Sequence, residues 1–437
     1  MFETLKQAFK VKEIRVKIWF TILFLVIYRI GCYIPVPGVG EQLIGTQDLE
    51  EFTYLNIMNM MTGGSLASGT LFAMGVGPYI NASIIMQLLA VAIPSLERLS
   101  KQGEEGRKRI AQITRYVTII LAIIQAVGII VQYNSFITSN ENGQSLAQVL
   151  FNQEWLAYVV VVLFYVVGTV VTMWIGERIT DYGISNGISL LIFAGIISSA
   201  GQAVIQMFQT IGETGLDGFW QMVGMLVAII VVFTLIVTVE HAERKIPVQY
   251  AKQVRGQKMY GGQSTVIPIK VNSNGVLPLI FAFSILSFPE LIITLFNLKE
   301  TAFGEWWQIY MGASSWIYMV ALCLFIIFFA YFYTSIQFNP DDISKSIQQN
   351  GGFITGIRPG KPTAEYLKKI SGRITLFGAI FLAFLALVPS IVFKLINPST
   401  YTAFTATGLL IVVSVALEFN TALQSQIMMK NYKGFLK

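Results

Sequence analysis

Few residues in this chain could do covalent or metal chemistry. There is one histidine, His241, which is too little for a histidine-based metal centre. The two cysteines, Cys32 and Cys323, lie inside apolar stretches and read as small core residues, not as a disulfide framework. The loop "GIRPGKP", starting at Gly356, approaches a phosphate-binding loop but fails it. That motif needs four residues between its glycines and a hydroxyl after its lysine; here three intervene and Pro362 follows Lys361. "NAS" at Asn81 matches a glycosylation acceptor by chance, since it sits in an apolar stretch. Arg29 and Glu290 lie near the outer ends of apolar stretches, and Glu240 and Glu418 near inner ends, where snorkelling or pairing accounts for them. No catalytic residue, metal ligand or cofactor is expected, so any energy for work must come from a partner.

The spacing of apolar residues offers another chemistry, that of a pore. Ile80 and Ile84, and Ile188 and Ile192, each stand four apart and so share a helical face. Ile280 and Ile411 occupy corresponding places later in the chain. Spacing alone favours ordinary helix packing; the sharper alternative is a hydrophobic constriction, which closes a pore by dewetting. The first pair lies in an apolar stretch, Phe72 to Leu88, broken by two glycines, a proline and an asparagine. The preceding "GGSLASGT" is too short to cross anything.

The elements that must position these residues are membrane helices. Of the 437 residues, 54% are hydrophobic and 12% charged, against about 25% charge in a soluble domain. Mean hydropathy is +0.64. Ten stretches are long and apolar enough to span, near 18–36, 76–93, 113–133, 155–175, 187–208, 218–239, 275–296, 314–336, 374–394 and 404–424. The fold class is therefore all-α and polytopic. No cleavable signal peptide is expected, because the first run, from Ile18, is long and no small-residue cleavage site follows it. Segments 1–17, 95–116, 176–187, 240–270, 337–373 and 418–437 hold 27 of the 30 lysines and arginines. The alternate connections hold only Lys299 and Lys394 but carry acids such as Glu41, Asp48, Glu50 and Glu51. Both termini are thus expected in the cytoplasm.

Internal matches divide the ten helices into two fives. "PYINAS" (78–83) and "PLIFAF" (278–283) share Pro-x-Ile-x-Ala, and "SLLI" (189–192) matches "GLLI" (408–411). Five is odd, so the second half, 209–437, enters inverted relative to the first, 1–208, with the hinge in a polar loop near 209–217. An inverted repeat with a broken helix suits a secondary transporter for small solutes, but such machines carry ionisable residues at mid-membrane. The apolar stretches here are nearly free of them. A poreless membrane scaffold is a third class. The cytoplasmic segments 240–270 and 337–373 are long and basic, with strand-like and turn-like content that suggests shaped protrusions; binding of anionic lipid is their simpler role.

Six motifs in register, "YRIGCYIPVPG" (28–38), "PYINASIIMQLL" (78–89), "SKQGEEGRKR" (100–109), "NGISLLIFAGI" (186–196), "GGQSTVIPIKVN" (261–272) and "GGFITGIRPGKPT" (351–363), resemble the SecY family of the bacterial Sec translocon. The resemblance covers the chain from end to end. It implies a passive protein-conducting channel in the bacterial plasma membrane, which passes unfolded preproteins outward and releases hydrophobic helices sideways into lipid. The segment of about 62–74 would be the plug half-helix, including Gly63, Gly64, Ser65, Leu66, Ala67, Ser68, Gly69, Thr70, Leu71 and Phe72. Its small residues suit tight packing without a bulky anchor, and a second half-helix follows from about Val76. The six isoleucines match the family's pore ring. Ser83, Gln87, Gln125 and Ser284 would be polar residues of the lateral gate, where a signal peptide intercalates. Arg244, Lys245, Arg255, Lys258, Arg358 and Lys361 would dock the SecA ATPase or the RNA of a ribosome, with Arg358 matching the family's sensitive arginine. Val266 stands where the family often has histidine. SecE and SecG are the implied partner subunits, with no cofactor.

Overall fold

The computed structural model describes residues 2–37, 53–138, 154–214, 216–250, 253–255, 258–260, 264–272, 275–296, 298, 301–312, 315–396 and 406–435. The chain begins with α1 (Phe2–Lys10), α2 (Lys12–Gly31) and α3 (Thr53–Thr62), followed by α4 (Gly77–Ala92), α5 (Pro94–Ser100) and α6 (Glu104–Thr138). Next come α7 (Glu154–Tyr182), α8 (Gly187–Thr214) and α9 (Leu216–His241), then four strands, β1 (Glu243–Tyr250), β2 (Gln253–Arg255), β3 (Lys258–Tyr260) and β4 (Ser264–Lys270). The remainder is α10 (Leu277–Leu295), α11 (Ala302–Met311), α12 (Trp316–Gln337), α13 (Pro340–Gln349), β5 (Gly352–Ile354), α14 (Lys361–Ile396) and α15 (Ala406–Phe435).

A helix lies over each of the ten expected stretches. Six helices are long and apolar enough to cross a membrane, and α4 with α5 forms a seventh candidate bent by 106°. The bend falls at Ile93, held extended (φ −106°, ψ 115°) before Pro94, as steric crowding by the proline ring requires. α8 and α10 add shorter apolar helical stretches, Gly187–Gly201 and Leu277–Glu290. α2 carries Arg15, Lys17 and Arg29 within its apolar run. Where a polar loop is expected near 209–217, helix runs to Thr214 and again from Leu216, with residue 215 outside the described residues. The intervening "QTIGET" offers no proline to stop it.

Two compact units emerge. The first comprises Met1–Met222, Ser284–Tyr318 and Phe393–Lys437. Within it α6 packs against α4 and α7, α8 against α3, α7 and α15, and α2 against α7. Arg115 of α6 pairs with Glu177 of α7 at 2.7 Å. The amphipathic α1 folds back on α15, where Ala8, Ile14 and Ile18 meet Leu423 and Ile427, and Glu13 pairs with Lys430.

The second unit comprises Val223–Phe283 and Met319–Val392. Phe281 of α10 meets Phe329 and Tyr333 of α12 edge-on, with centroids 5.6 and 5.1 Å apart. Its polar end is a three-stranded antiparallel sheet in the order β4-β1-β5. Glu243↔Lys270 through Gln249↔Ser264 sets the β1–β4 register, and Val248↔Ile354 through Tyr250↔Gly352 sets that of β1–β5. Strand alternation turns Ile246 and Val248 inward onto Ile269, Ile347 and Leu367. Asn339 caps α13 by accepting from the Asp341 amide, and Pro340 supplies its first turn. The segments 240–270 and 337–373 are therefore shaped, as their composition suggests.

Leu367 is fully buried under this sheet. Leu367→Ala should cost about 3 kcal/mol. Hydrogen exchange should show roughly hundredfold faster opening of β1 and β5, with no change in the first unit's helices.

Candidate functional site

The break in the sequence before α4 becomes an irregular segment, 63–76, within the first unit. It is not helical. It runs as successive turns between α3 and α4, with Gly63, Gly64, Gly69 and Gly75 at positive φ. The half-helix expected over 62–74 is thus displaced upstream into α3, because left-handed backbone cannot continue a right-handed helix. Gly63, at φ +73°, stops α3 in the conformation that only glycine adopts cheaply. Downstream, α4 starts at Gly77, with Pro78 in its first turn, close to the expected Val76.

Hydrogen bonds stitch the segment to the end of α2. Leu71 N donates to Ile34 O (2.8 Å) and Val36 N to Gly69 O (3.2 Å), forming a bridge between Pro35 and Thr70. Ser65 Oγ donates to Cys32 O (3.4 Å). Internally, Ala67 N donates to Asn59 Oδ1 (3.0 Å), and Thr70 donates both its amide and its hydroxyl to Ser65 O.

Close approach does the rest. A Cβ on Gly195 of α8 would lie 1.9 Å from Met61 O, and one on Gly168 of α7 would lie 1.9 Å from Leu71 O. Phe72 stacks on Tyr28 with centroids 5.7 Å apart and covers Gly31. Leu66, Ala73 and Met74 are buried against Ala122, Ile129, Val161 and Tyr165. So the segment does have bulky anchors, contrary to expectation, since only large apolar side chains fill the space between α6 and α7.

Arg29 is the residue whose part sequence reasoning missed. It does not snorkel away. Its Nη1 donates to Thr62 O (3.5 Å), its Nη2 to Ser198 Oγ of α8, and its guanidinium lies 5.6 Å from the Tyr33 ring centre. The available signal was a cation in an apolar helix, which marks function by default.

The other expected site residues fall in several places. Ile80 and Ile84 lie on α4, Ile188 and Ile192 on α8, and Ile411 on α15, all in the first unit; Ile280 belongs to the second. Ile84, Ile192 and Ile411 are buried, and α8 packs on α15. Gln87 Nε2 donates to Ser83 Oγ (3.0 Å), so these two gate candidates pair along one face of α4. Gln125 is buried in α6, and its Oε1 has no donor among the described residues. Ser284 lies on α10, half-buried.

Of the docking candidates, Arg244 and Lys245 stand on β1, opposite Ile269 and Pro268. Lys245 pairs with Glu243 at 3.2 Å. Arg255 and Lys258 face each other across the β2–β3 hairpin. Arg358 and Lys361 are exposed. Arg358 lines an open cleft of about 480 Å³ with Gln348, Phe353 and Pro359. The backbone beneath is fixed by Thr363 Oγ1 donating to Arg358 O (2.8 Å) and Ser344 Oγ donating to Gly360 O (2.7 Å). In the basic segment after α4, hydrogen bonds from Lys101 and Lys108 hold the Glu97 and Glu104 carboxyls below their ordinary pKa.

A family model described as SecY matches residues 70–420. The protein translocase subunit SecY of Streptomyces scabiei is 40% identical over 443 residues, covering 100% of both chains. That of Halalkalibacterium halodurans is 39% identical over 442 residues with the same coverage. Among solved structures, a protein-conducting channel superposes with TM-score 0.64 at 20% identity, covering 95% of this chain and 92% of the other. Canine Sec61 in a ribosome–channel complex from the endoplasmic reticulum gives TM-score 0.61 at 20% identity, covering 94% and 91%. At that identity the structural likeness speaks for the fold alone.

Gly195 and Gly201 sit on the same helix and separate seating from propensity. Gly195→Ala should destabilise the protein by at least about 2 kcal/mol, because backbone must move. Gly201→Ala meets nothing within 4 Å and should be neutral or stabilising by up to about 1 kcal/mol. Thermal unfolding of both variants in detergent checks the contrast.

Proposed function

Because the chain belongs to the SecY family, we propose that it is the pore-forming subunit of a protein-conducting channel. It moves unfolded preproteins across the bacterial plasma membrane and releases hydrophobic helices through a lateral gate. The observation that carries this reading is the segment 63–76. It returns between two helices without spanning, bonded to the end of α2 and seated on α7 and α8. Such irregular backbone is tolerable at membrane depth only inside protein or beside a water-filled cavity. A segment of this kind closes a pore that a passenger opens.

The rest of the reading follows the family. Ten helices span, in inverted halves 1–208 and 209–437, with both termini in the cytoplasm; the 27-of-30 bias of basic residues supports that orientation. Ile80, Ile84, Ile188, Ile192, Ile280 and Ile411 form a ring of flexible aliphatic side chains around the passenger. This ring offers no hydrogen bond to prefer one sequence, and it excludes ions. Ser83, Gln87, Gln125 and Ser284 line the gate. The cytoplasmic sheet and the Arg358 loop receive SecA or a translating ribosome, whose RNA phosphates suit the planar fork of arginine. SecE and SecG complete the channel, and lipid surrounds it.

Single-channel conductance in planar bilayers tests closure. The wild type should be quiet, and a variant lacking 62–74 should carry large, poorly selective currents. Silence in both, with uptake driven by a solute gradient, would replace the channel with a transporter. Docking is tested separately. Arg358→Glu should reduce motor-driven preprotein translocation by about tenfold or more, in line with the worth of a charge-assisted contact. It should leave the current of the plug-deleted chain unchanged, and added salt should weaken ribosome binding to the wild type.

A further inference from the structure

We propose that Arg29 is the latch of the closed channel, a positioning residue that holds the neck of the plug to the wall. The inference rests on the plug reading above. An α-helix ends with carbonyls that lack partners and with the negative pole of its dipole. α3 ends at Thr62, where the segment begins. Met60 O accepts from Gly63 N (3.2 Å) and from Ser199 Oγ (3.1 Å), and Asn59 O accepts from Gly64 N (2.9 Å). Thr62 O is reached by Arg29. A cation from a different helix thus completes the cap.

The same guanidinium also donates to Ser198 of α8. One planar fork therefore joins three elements, α2, the end of α3 and α8, a task that a single ammonium performs poorly. The place matters as much as the bonds. Gly75, at the far end of the segment, lies against the Thr62 methyl, so close that a Cβ there would come within 2.6 Å of it. The two ends of the loop meet at Thr62, and Arg29 grips that junction. Gly63 beside it leaves no room for a side chain, since a Cβ would lie 2.4 Å from Arg29 Nη1. Displacing the loop swings the Thr62–Gly63 peptide, which separates the carbonyl from the guanidinium. Opening therefore breaks a charge-assisted bond made by a half-buried guanidinium.

The test uses the full chain, purified with its bound subunits, in planar bilayers. Arg29→Gln should raise the resting open fraction about tenfold or more, the worth of one charged hydrogen bond. Arg29→Lys should fall between the two, and Ser198→Ala, which keeps the charge, should give a smaller rise. In a chain lacking 62–74, Arg29→Gln should add nothing. If Arg29→Gln fails to assemble, Ser198→Ala decides. Should both variants stay as quiet as the wild type while the deletion conducts, the latch is wrong and the plug reading stands. Equal increases with and without 62–74 would mean that Arg29 acts on the wall, which also overturns the latch. A silent deletion removes the plug reading and the latch together.

Discussion

Every backbone amide and carbonyl at membrane depth must find a partner within the protein, because hydrocarbon offers none. The long apolar helices meet that demand internally. The segment 63–76 cannot, having left-handed backbone at four glycines. Its groups are satisfied by turns and by the extended chain after α2, while side chains of α2 and α8 reach the Thr62 and Met60 carbonyls of α3 just before it. Much of the first unit's local sequence serves this need. Gly168 and Gly195 allow backbone to approach backbone, Gly31 makes room for Phe72, and Ser199 answers a helix end. Where polar bonding is short-ranged, the wall must be thin, and glycine is the thinnest wall available.

The same logic inverts outside the membrane. In the second unit's polar end, backbone is fixed so that side chains stay free. β1 is central in its sheet, Ile246 and Val248 anchor it, and the Arg358 loop is tied down through its own carbonyls by Thr363 and Ser344. Arg358 then projects from a hydrogen-bonded base, its guanidinium exposed and without an intramolecular ion pair or hydrogen bond among the described residues. Exposed cations on a fixed framework favour recognition of anions over stability, since surface ion pairs contribute little to folding.

How much of this could be read from the residues depended on the length scale. Hydropathy over twenty residues placed its stretches where helices lie, six or seven of them long and apolar enough to cross a membrane, because burial of apolar length in lipid is a sum over many side chains. Strand-like content in 240–270 was likewise visible as alternation. Local features were harder. Glycine and serine at 62–74 read as a half-helix, whereas helix stops at Thr62, a boundary set by left-handed φ values that composition does not specify. Helix covers 209–214 and 216–217, because glutamine and glutamate there solvate well and also propagate helices well. Arg29 was conspicuous in sequence, yet its partners are a backbone carbonyl and a serine, neither of which carries a charge signature. Ser83 and Gln87 form a couple while Gln125 is a buried amide, a difference set by rotation about helix axes that polarity alone does not give.

Two kinds of contact that do different work seat the segment 63–76. Leu66, Phe72 and Met74 are almost wholly buried, and exposing each to water would cost about 1.5–3 kcal/mol. That apolar contribution is non-directional: it favours any buried placement of the segment and does not select one. The hydrogen bonds at Thr62, Ser65 and Leu71 are individually modest, but they have direction and so define a single seat. A segment held only by apolar contact would slide, and one held only by hydrogen bonds would leak. On the channel reading, this division also indicates what can open it. Once the polar stitches part, the remaining cost is apolar area, and a passenger rich in hydrophobic side chains offers replacement area of the same kind. A hydrophilic segment of equal length offers none, so closure discriminates between them before any gate helix moves.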